Sequence, residues 1–508
     1  MSQRIPFAET SRASTPGERS ELLPIRIARR REALRVFLVC WLVYPVFWAP
    51  YIIREHFPAM TMAEQGTLNV ERYLGWTEDI FPGPVKGAFI NNNPGASLTG
   101  AIPLVLLRPV LARVDAWNQR QPRPRRREPD EGELFWRAVR EGRGCYFLLV
   151  TLLTAAAVMA PATAGMLAYL CSRLIEAGIP AASASLIAIL CGIGTPLLFR
   201  VGGLNHNLLV ADAGFTALLV LWDPKDRPLT LPRTFSAGLL CGYALLCDYS
   251  GIVVIAVAAL YTWQRSAVNS SRVRALAGFA AGTLPGIAVL VIYQAWAFGA
   301  FLHPSQHYMP PTAPTAHGYR GLDWPSPTLT WALLTDLRFG LFVYSPALAL
   351  AFAAPFLTRI RYRLPKRETR LILIYFALFL LFCSANQYSW LQPLTGFRYL
   401  VPVVPGLALL GIQASQALPR RVRRLLACFS CLQMLLVATA HENDLRRTLG
   451  TLWKTRLEPP WLIRLGQSGA PPAWIHAAVL LASIALTVAL FQVVVLYRET
   501  RKPTVPDR

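Results

Sequence analysis

Residues 60–103 read MTMAEQGTLNVERYLGWTEDIFPGPVKGAFINNNPGASLTGAIP. The stretch follows the first long apolar segment and is the most polar part of an otherwise greasy chain. It carries Glu64, Glu71, Glu78 and Asp79, then Asn91, Asn92 and Asn93 directly before Pro94 and Gly95. Acids and amides in a turn-rich loop beside a bilayer can bind or protonate a ligand. The loop therefore reads as the mouth of a site, and the apolar segments around it as the wall.

Hydrophobic residues make up 54% of the 508, and apolar runs of about 17–25 residues recur, the length that crosses a hydrocarbon core. The fold class is all-α, a polytopic transmembrane helical bundle of about 12 spans with a large extracytoplasmic first loop. The net charge of +23 would suggest nucleic acid in a soluble chain. Here the charge gathers in short clusters between apolar runs, as in Arg359, Arg361, Arg363, Lys366, Arg367 and Arg370, then Arg420, Arg421, Arg423 and Arg424, then Arg498, Arg501 and Lys502. Such clusters set orientation by the positive-inside rule, and with no binding module interleaved they argue against a nucleic-acid partner. The nine cysteines lie mostly inside apolar runs; Cys428 and Cys431 form a CxxC with no second pair or histidine beside it, and read as small apolar filler.

Residues 1–34 read as a disordered cytoplasmic tail ending in Arg29, Arg30 and Arg31, ahead of an uncleaved first span at 35–53. A transmembrane module then covers 35–415, including an outer loop at 54–143; the helices of 416–497 enclose an outer loop at 441–472, and 498–508 form a second cytoplasmic tail. The expected place is the cytoplasmic membrane, with both termini inside. Two topologies fit the middle of the chain. In the first, residues 95–113 cross, the Arg-rich stretch at 119–143 is cytoplasmic, and 234–263 form one long span with Asp248 in its middle. In the second, 95–113 lie along the outer surface, the Arg-rich stretch is outside, and 234–247 and 250–263 are two short spans turning at Asp248 and Tyr249. The first obeys the charge rule; the second avoids a bare carboxylate at mid-bilayer.

Glu64 and Asp79 are candidate proton acceptors, since a carboxylate in a surface cavity can take a proton from an acceptor hydroxyl. Glu55 and Glu71 adjoin Arg54 and Arg72 and read as locally paired. His206 opens an apolar helix that Asn205 or Asn207 could cap, and Asp212 and Asp248 are expensive in a membrane unless paired or wet. His303 and His307 stand four apart, but Pro304 separates them and no acidic partner follows, so no metal is assigned. Arg320, with His317 and Tyr319, can cover a polar head group. Arg398 opens a span beside Tyr388, Trp390 and Tyr399, where an arginine can clamp a phosphate while aromatics lie on an isoprenoid or sugar. No P-loop, dinucleotide fingerprint or serine-hydrolase elbow is present. A transferred group must then arrive activated, and a lipid phosphate is the obvious carrier.

In layout and in several loose motifs the chain resembles the GT-C superfamily of integral-membrane glycosyltransferases, which includes protein O-mannosyltransferases and aminoarabinose transferases. The motifs are GAFINNNPGASLTGAIP after the first span, GGLNHNLLVADAG, GYALLCDYSG, FGAFLHP, FGLFVYSPAL and GFRYLVPVVP, together spanning roughly residues 36–415. The resemblance implies a polyprenyl-phosphate sugar donor as co-substrate with no other cofactor, membrane lipids as partners, an inverting transfer on the outer face, and a first-loop carboxylate as base. The family's Asp-Glu pair after the first span is absent, with Arg54 and Glu55 nearest, so the role passes to Asp79 with Glu64 in reserve. Asn91, Asn92, Asn93, His206, Asp248, Arg320, Arg398 and Tyr399 are the implied substrate-binding residues. The resemblance favours the second topology, which puts His206 and Asp248 on the side of Asp79. The rival readings are a multi-span transporter or lipid flippase, which short outer loops would favour, and an inactive lipid-binding relative.

Overall fold

Among the described residues five helices are long and apolar enough to cross a bilayer: Gly144–Glu176, Ser271–Phe298, Lys366–Ala385, Arg420–Ala440 and Pro472–Glu499. Shorter apolar helices at Ala181–Ile193, His206–Leu221, Leu231–Cys247, Gly251–Arg265 and Val401–Ser415 pack among them. These are the features of a computed structural model that describes residues 16–84, 86–122, 134–266, 270–357, 362–392, 397–442 and 444–500. Strands among the described residues are confined to Ile80–Pro82 and Ala88–Ile90, an antiparallel hairpin in the first loop. The protein is all-α and compatible with an integral place in a membrane.

Polar groups gather at the two ends of the bundle, which makes the direction of each helix readable. At one end Arg29 and Arg173 pair with Glu176, Asp223 binds Arg227 and Arg233 at 2.9 Å each, and Asp226 binds Arg265 at 2.7 Å and Arg367 at 2.9 Å. This is the basic face. At the other end Ala49 donates to Gly202 at 2.7 Å, His441 bonds the Phe47 carbonyl at 2.7 Å, and Arg143 binds Glu64 at 2.6 Å. This is the site face.

The Leu231–Cys247 helix starts beside Asp223, through Arg233, and ends at Asp248 on the site face; Gly251–Arg265 returns to the basic face, where Arg265 meets Asp226. A single long span through Asp248 is thereby ruled out. Asp248 itself makes the turn: its Oδ1 accepts from Ser250 N at 2.8 Å and its carbonyl from Gly251 N at 2.9 Å. Gly95–Leu106 and Arg108–Arg120 meet at an 80° bend. Both described flanks of the Arg-rich stretch stay on the site face, with Arg108 donating to the Glu64 carbonyl at 3.0 Å and Arg137 to the Gly75 carbonyl at 2.5 Å; residues 123–133 lie outside the described set. On that face Glu64 binds Arg72 and Arg143, and Asp115 also binds Arg143.

One expectation is corrected. Residues 16–34, read as disordered, belong to the Pro16–Val43 helix; residues 1–15 lie outside the described set. Glu32 is fully buried within that helix, takes Arg31 and Arg35, and accepts from Ser185 at 3.0 Å, so the helix is fastened well before the apolar run begins.

The tightest seam joins Leu231–Cys247 to Ser270–Phe298. A Cβ on Gly282 would fall 2.1 Å from the Phe235 carbonyl oxygen, and one on Gly238 2.0 Å from that of Phe279. In lipid no hydrophobic force pulls helices together, so van der Waals packing of small residues holds them. Gly282→Val should lower Tm in detergent by an amount equivalent to about 1–3 kcal/mol or more; an unchanged Tm contradicts this packing. Single cysteines placed at Arg137 and at Lys366 in a background lacking Cys428 and Cys431 should differ in labelling by a membrane-impermeant maleimide on intact cells, one reacting and the other protected. Equal labelling would contradict the two-face arrangement.

Candidate functional site

The first loop is fastened to the bundle at two points. Asn93 donates through Nδ2 to the Leu245 carbonyl at 2.9 Å, and Gly95 lies so close to the end of Leu231–Cys247 that a Cβ would sit 2.7 Å from Leu246 and Cys247 backbone atoms. Only glycine fits there. The Pro-Gly element thus docks the loop beside Asp248 and begins the Gly95–Leu106 helix. From the other side, Ser305 and Gln306 each donate to the Asn91 carbonyl at 2.8 Å, which fixes the asparagine run from above.

At the centre is Glu55, 1% exposed. Its Oε1 lies 2.5 Å from His206 Nδ1, 2.5 Å from Asn92 Nδ2 and 3.6 Å from Arg54 Nε. Burial opposes its ionisation, but the His206 ring and the Arg54 guanidinium outweigh that and hold the carboxyl well below the usual carboxylate range. His206 is set by Asn205, which caps the His206–Leu221 helix by accepting from Leu208 N at 3.0 Å. With Nδ1 turned to Glu55, Nε2 faces Asp248 Oδ2 at 3.7 Å. A buried carboxylate holding one ring nitrogen leaves the other to serve as proton donor or acceptor at the open side.

Arg54 is the second hub. It donates to Asp79 Oδ1 at 3.0 Å and to Asn91 Oδ1 at 3.1 Å, and Asn91 Nδ2 donates to the same Asp79 oxygen at 3.1 Å. Asp79 is the most open carboxylate of the group, with 39% of its side chain exposed, against 26% for Asp248. Arg54 is also within electrostatic reach of Tyr399, whose hydroxyl accepts from Arg398 Nη2 at 2.6 Å. Arg398 lies over the Tyr399 ring, 4.5 Å from its centroid, and its Nε finds no partner among the described residues. Tyr388 brings Arg320 into the same neighbourhood, feeling both Arg54 and Arg320. Asp79 and Arg398 are thus linked through Arg54 and Tyr399.

The sequence-predicted residues divide. Asp79, Asn91, Asn92, Asn93, His206, Asp248, Arg398 and Tyr399 come together, with Arg320 at the edge. Glu64 does not join them. It is gripped by Arg72 at 3.0 Å, Arg143 at 2.6 Å and the Tyr73 and Tyr146 hydroxyls at 3.1 and 2.6 Å, so its lone pairs are taken and its role is to brace the loop. Sequence reasoning passed over Glu55 and Arg54 as mutual partners; they do pair, yet each also organises a separate part of the site. Arg200, within electrostatic reach of Arg398 and Glu55, was also missed, and Asn207, read only as a candidate cap, has an amide with no partner among the described residues. His303 and His307 stack with centroids 4.9 Å apart, and no three metal-ligating side chains group together among the described residues.

An apolar cavity of about 450 Å³ opens one helical turn away, lined by Thr99, Ile102, Leu106, Val158, Leu209 and Leu240, with Asp212 and Tyr243 among its few polar groups. A π-helical turn at Ala155–Met159 swells the Gly144–Glu176 span where it forms this wall. Thr99 and Tyr243 bond at 2.7 Å at its head, Thr99 in the helix that follows Asn93 and Tyr243 in the helix that ends before Asp248. Asp212 accepts from Thr163 at 2.8 Å through Oδ2, while Oδ1 is without a partner among the described residues.

Two neutral histidines brace the same region. Burial pushes both His56 and His441 down to about 4. Each folded ring refuses a proton that the unfolded chain accepts, so stability is full above about pH 6.5 and falls as pH drops toward 4. Tm in detergent should decline over that window, and His441→Gln should flatten the decline; a Tm constant from pH 7 to 4.5 contradicts it. Glu55→Ala, which leaves His206 and Arg54 buried without their carboxylate, should cost on the order of 3–5 kcal/mol, and a loss no larger than that of Asp79→Ala would remove Glu55 from the centre. No protein family, characterised protein or solved structure matches the chain, so its chemistry rests on these groups alone.

Proposed function

We propose that the chain is a membrane glycosyltransferase that moves a sugar from a polyprenyl-phosphate-linked donor to an acceptor on the site face, with inversion. One observation carries the reading: guanidinium donors and open carboxylates converge on a single rim, and an apolar cavity begins beside it. A phosphate carried on a hydrocarbon chain needs both environments in that order. On this reading the site face is extracytoplasmic, in accord with the basic loops at the opposite end.

In the proposed reaction Arg398 and Arg54 hold the donor phosphate. Taking Arg54 loosens its grip on Asp79, and the freed carboxylate accepts the proton of the acceptor hydroxyl. The acceptor oxygen bonds to the anomeric carbon from the face opposite the phosphate, the carbon–oxygen bond to phosphate breaks, and polyprenyl phosphate leaves with the electron pair. Its developing charge is met by fixed N–H donors, the arrangement that contributes most in such sites. His206 and Asp248 orient the sugar, with Glu55 holding His206 in register. Positioned general-base catalysis contributes about 10²–10⁴ in rate.

The test is to offer the purified full-length protein a panel of polyprenyl-phosphate sugars with and without acceptor extracts, and to follow donor consumption. Asp79→Asn should reduce turnover by at least about 10²-fold while leaving Tm within a few degrees of wild type. Retained turnover removes Asp79 from the chemistry, and no consumption of any donor by the wild type contradicts the transferase reading.

A further inference from the structure

We propose a second binding site, for a phosphate-type anion, on the basic face. A cavity of about 360 Å³ lies there between the end of the Gly144–Glu176 helix, the start of Lys366–Ala385 and the end of Val404–Ser415. Trp222, Arg363, Gln413 and Gln416 supply its polar lining beside Tyr362. It is at the opposite end of the bundle from Asp79 and Arg398, and it stands independently of the transferase reading.

The lining is a set of donors with nothing to bind. Trp222 and Gln413 are 5% and 4% exposed, and neither Trp222 Nε1 nor Gln413 Nε2 has a partner among the described residues. Buried N–H groups are almost always paired, so two orphans lining one cavity are a signal rather than noise. The Gln413 amide cannot turn to repair this, because its Oε1 already accepts from Leu364 N at 3.1 Å. Gln416 is likewise fixed by Tyr362, accepting from its N at 3.2 Å and donating to its carbonyl at 3.3 Å. Arg363 reaches only the Pro355 carbonyl, at 3.2 Å, among the described residues.

Among the described residues no carboxylate lines the cavity, and the acids nearby each bind an arginine. Glu176 is taken by Arg29 and Arg173, Asp223 by Arg227 and Arg233, Asp226 by Arg265 and Arg367, and Glu368 by Arg367 and the Tyr261 hydroxyl at 2.7 Å. Pro365, which caps the 20-residue Lys366–Ala385 helix, also lines the space, so the positive end of that helix adds its field. An indole N–H, an amide N–H, a guanidinium and a helix N-terminus together select an acceptor-only, negatively charged group. A phosphate oxygen fits this set, whether it belongs to the head group of an anionic lipid in that leaflet or to soluble phosphate.

The test uses the full-length chain in phosphatidylcholine nanodiscs, titrated with inorganic phosphate in one arm, and in nanodiscs with increasing phosphatidylglycerol in the other, with Tm as the readout. A rise in Tm confined to phosphatidylglycerol assigns a lipid head group, and one confined to inorganic phosphate assigns a soluble anion. In the responding arm Arg363→Ala should weaken the midpoint about tenfold or more. Trp222→Phe keeps the ring and removes only the N–H, and should weaken the midpoint several-fold. Lys366→Ala removes an equal charge just outside the cavity and should leave the midpoint unchanged. The absence of any shift in both arms overturns the proposal. So does a response that Arg363→Ala and Trp222→Phe leave intact, or that Lys366→Ala weakens as much as Arg363→Ala does.

Discussion

Glu55 is a carboxylate with almost no contact with solvent, and most of the site-face architecture follows from having to satisfy it. An unpaired charge in such a place is prohibitive, so the first loop, the His206–Leu221 helix and the Arg54 turn must all arrive together. Asn92 comes from the loop, His206 from a helix 151 residues away in sequence, and Arg54 from the next position. The pair is costly as a stabilising device, since well-packed apolar groups serve a core better. What it provides is a fixed imidazole and a fixed guanidinium, each with its remaining donors aimed toward the more open Asp248 and Asp79.

The rest of the bundle holds that cluster in place by two different kinds of contact. Within the apolar interior, backbones approach directly through glycines, as Gly282 and Gly238 do across the Leu231–Cys247 and Ser270–Phe298 seam. At the loop, Gly95 repeats the device against Cys247 and so brings the three asparagines to the edge of the helix that ends in Asp248. Glu64 and its ring of arginines and tyrosines brace the far end of the loop. The apolar cavity lies among the Gly95–Leu106, Gly144–Glu176, His206–Leu221 and Leu231–Cys247 helices. On the proposed reading, the head and the chain of an amphiphile would take the rim and this cavity in turn.

Much of this was legible in the sequence because it rests on hydropathy and on the cost of charge in lipid. The all-α bundle, the polar loop docked on its end, and the turn at Asp248 all follow from asking where a carboxylate can be tolerated. The asparagine run before Pro94 and the cap at Asn205 carry their own local chemistry. The central pair was not legible. Glu55 beside Arg54 looks like a neighbour pair, and nothing local reveals that the carboxylate is also taken by a histidine from another helix. Glu64 failed in the opposite sense: an acid in a polar loop looks open until four partners close on it. Helical structure over residues 16–34 was hidden by composition, since buried Glu32, paired with Arg31 and Arg35 in its own helix, meets Ser185 only in the folded bundle.

The proposed chemistry requires a prenyl-borne phosphate held by Arg54 and Arg398 beside Asp79. The most direct measurement is a cryo-electron microscopy map of the protein in nanodiscs with polyprenyl phosphate added. The phosphate should lie within hydrogen-bond distance of the Arg398 guanidinium, with the chain entering the cavity lined by Thr99, Leu209 and Tyr243. A phosphate bound only at the basic face, or a rim left empty at saturating lipid, would contradict it.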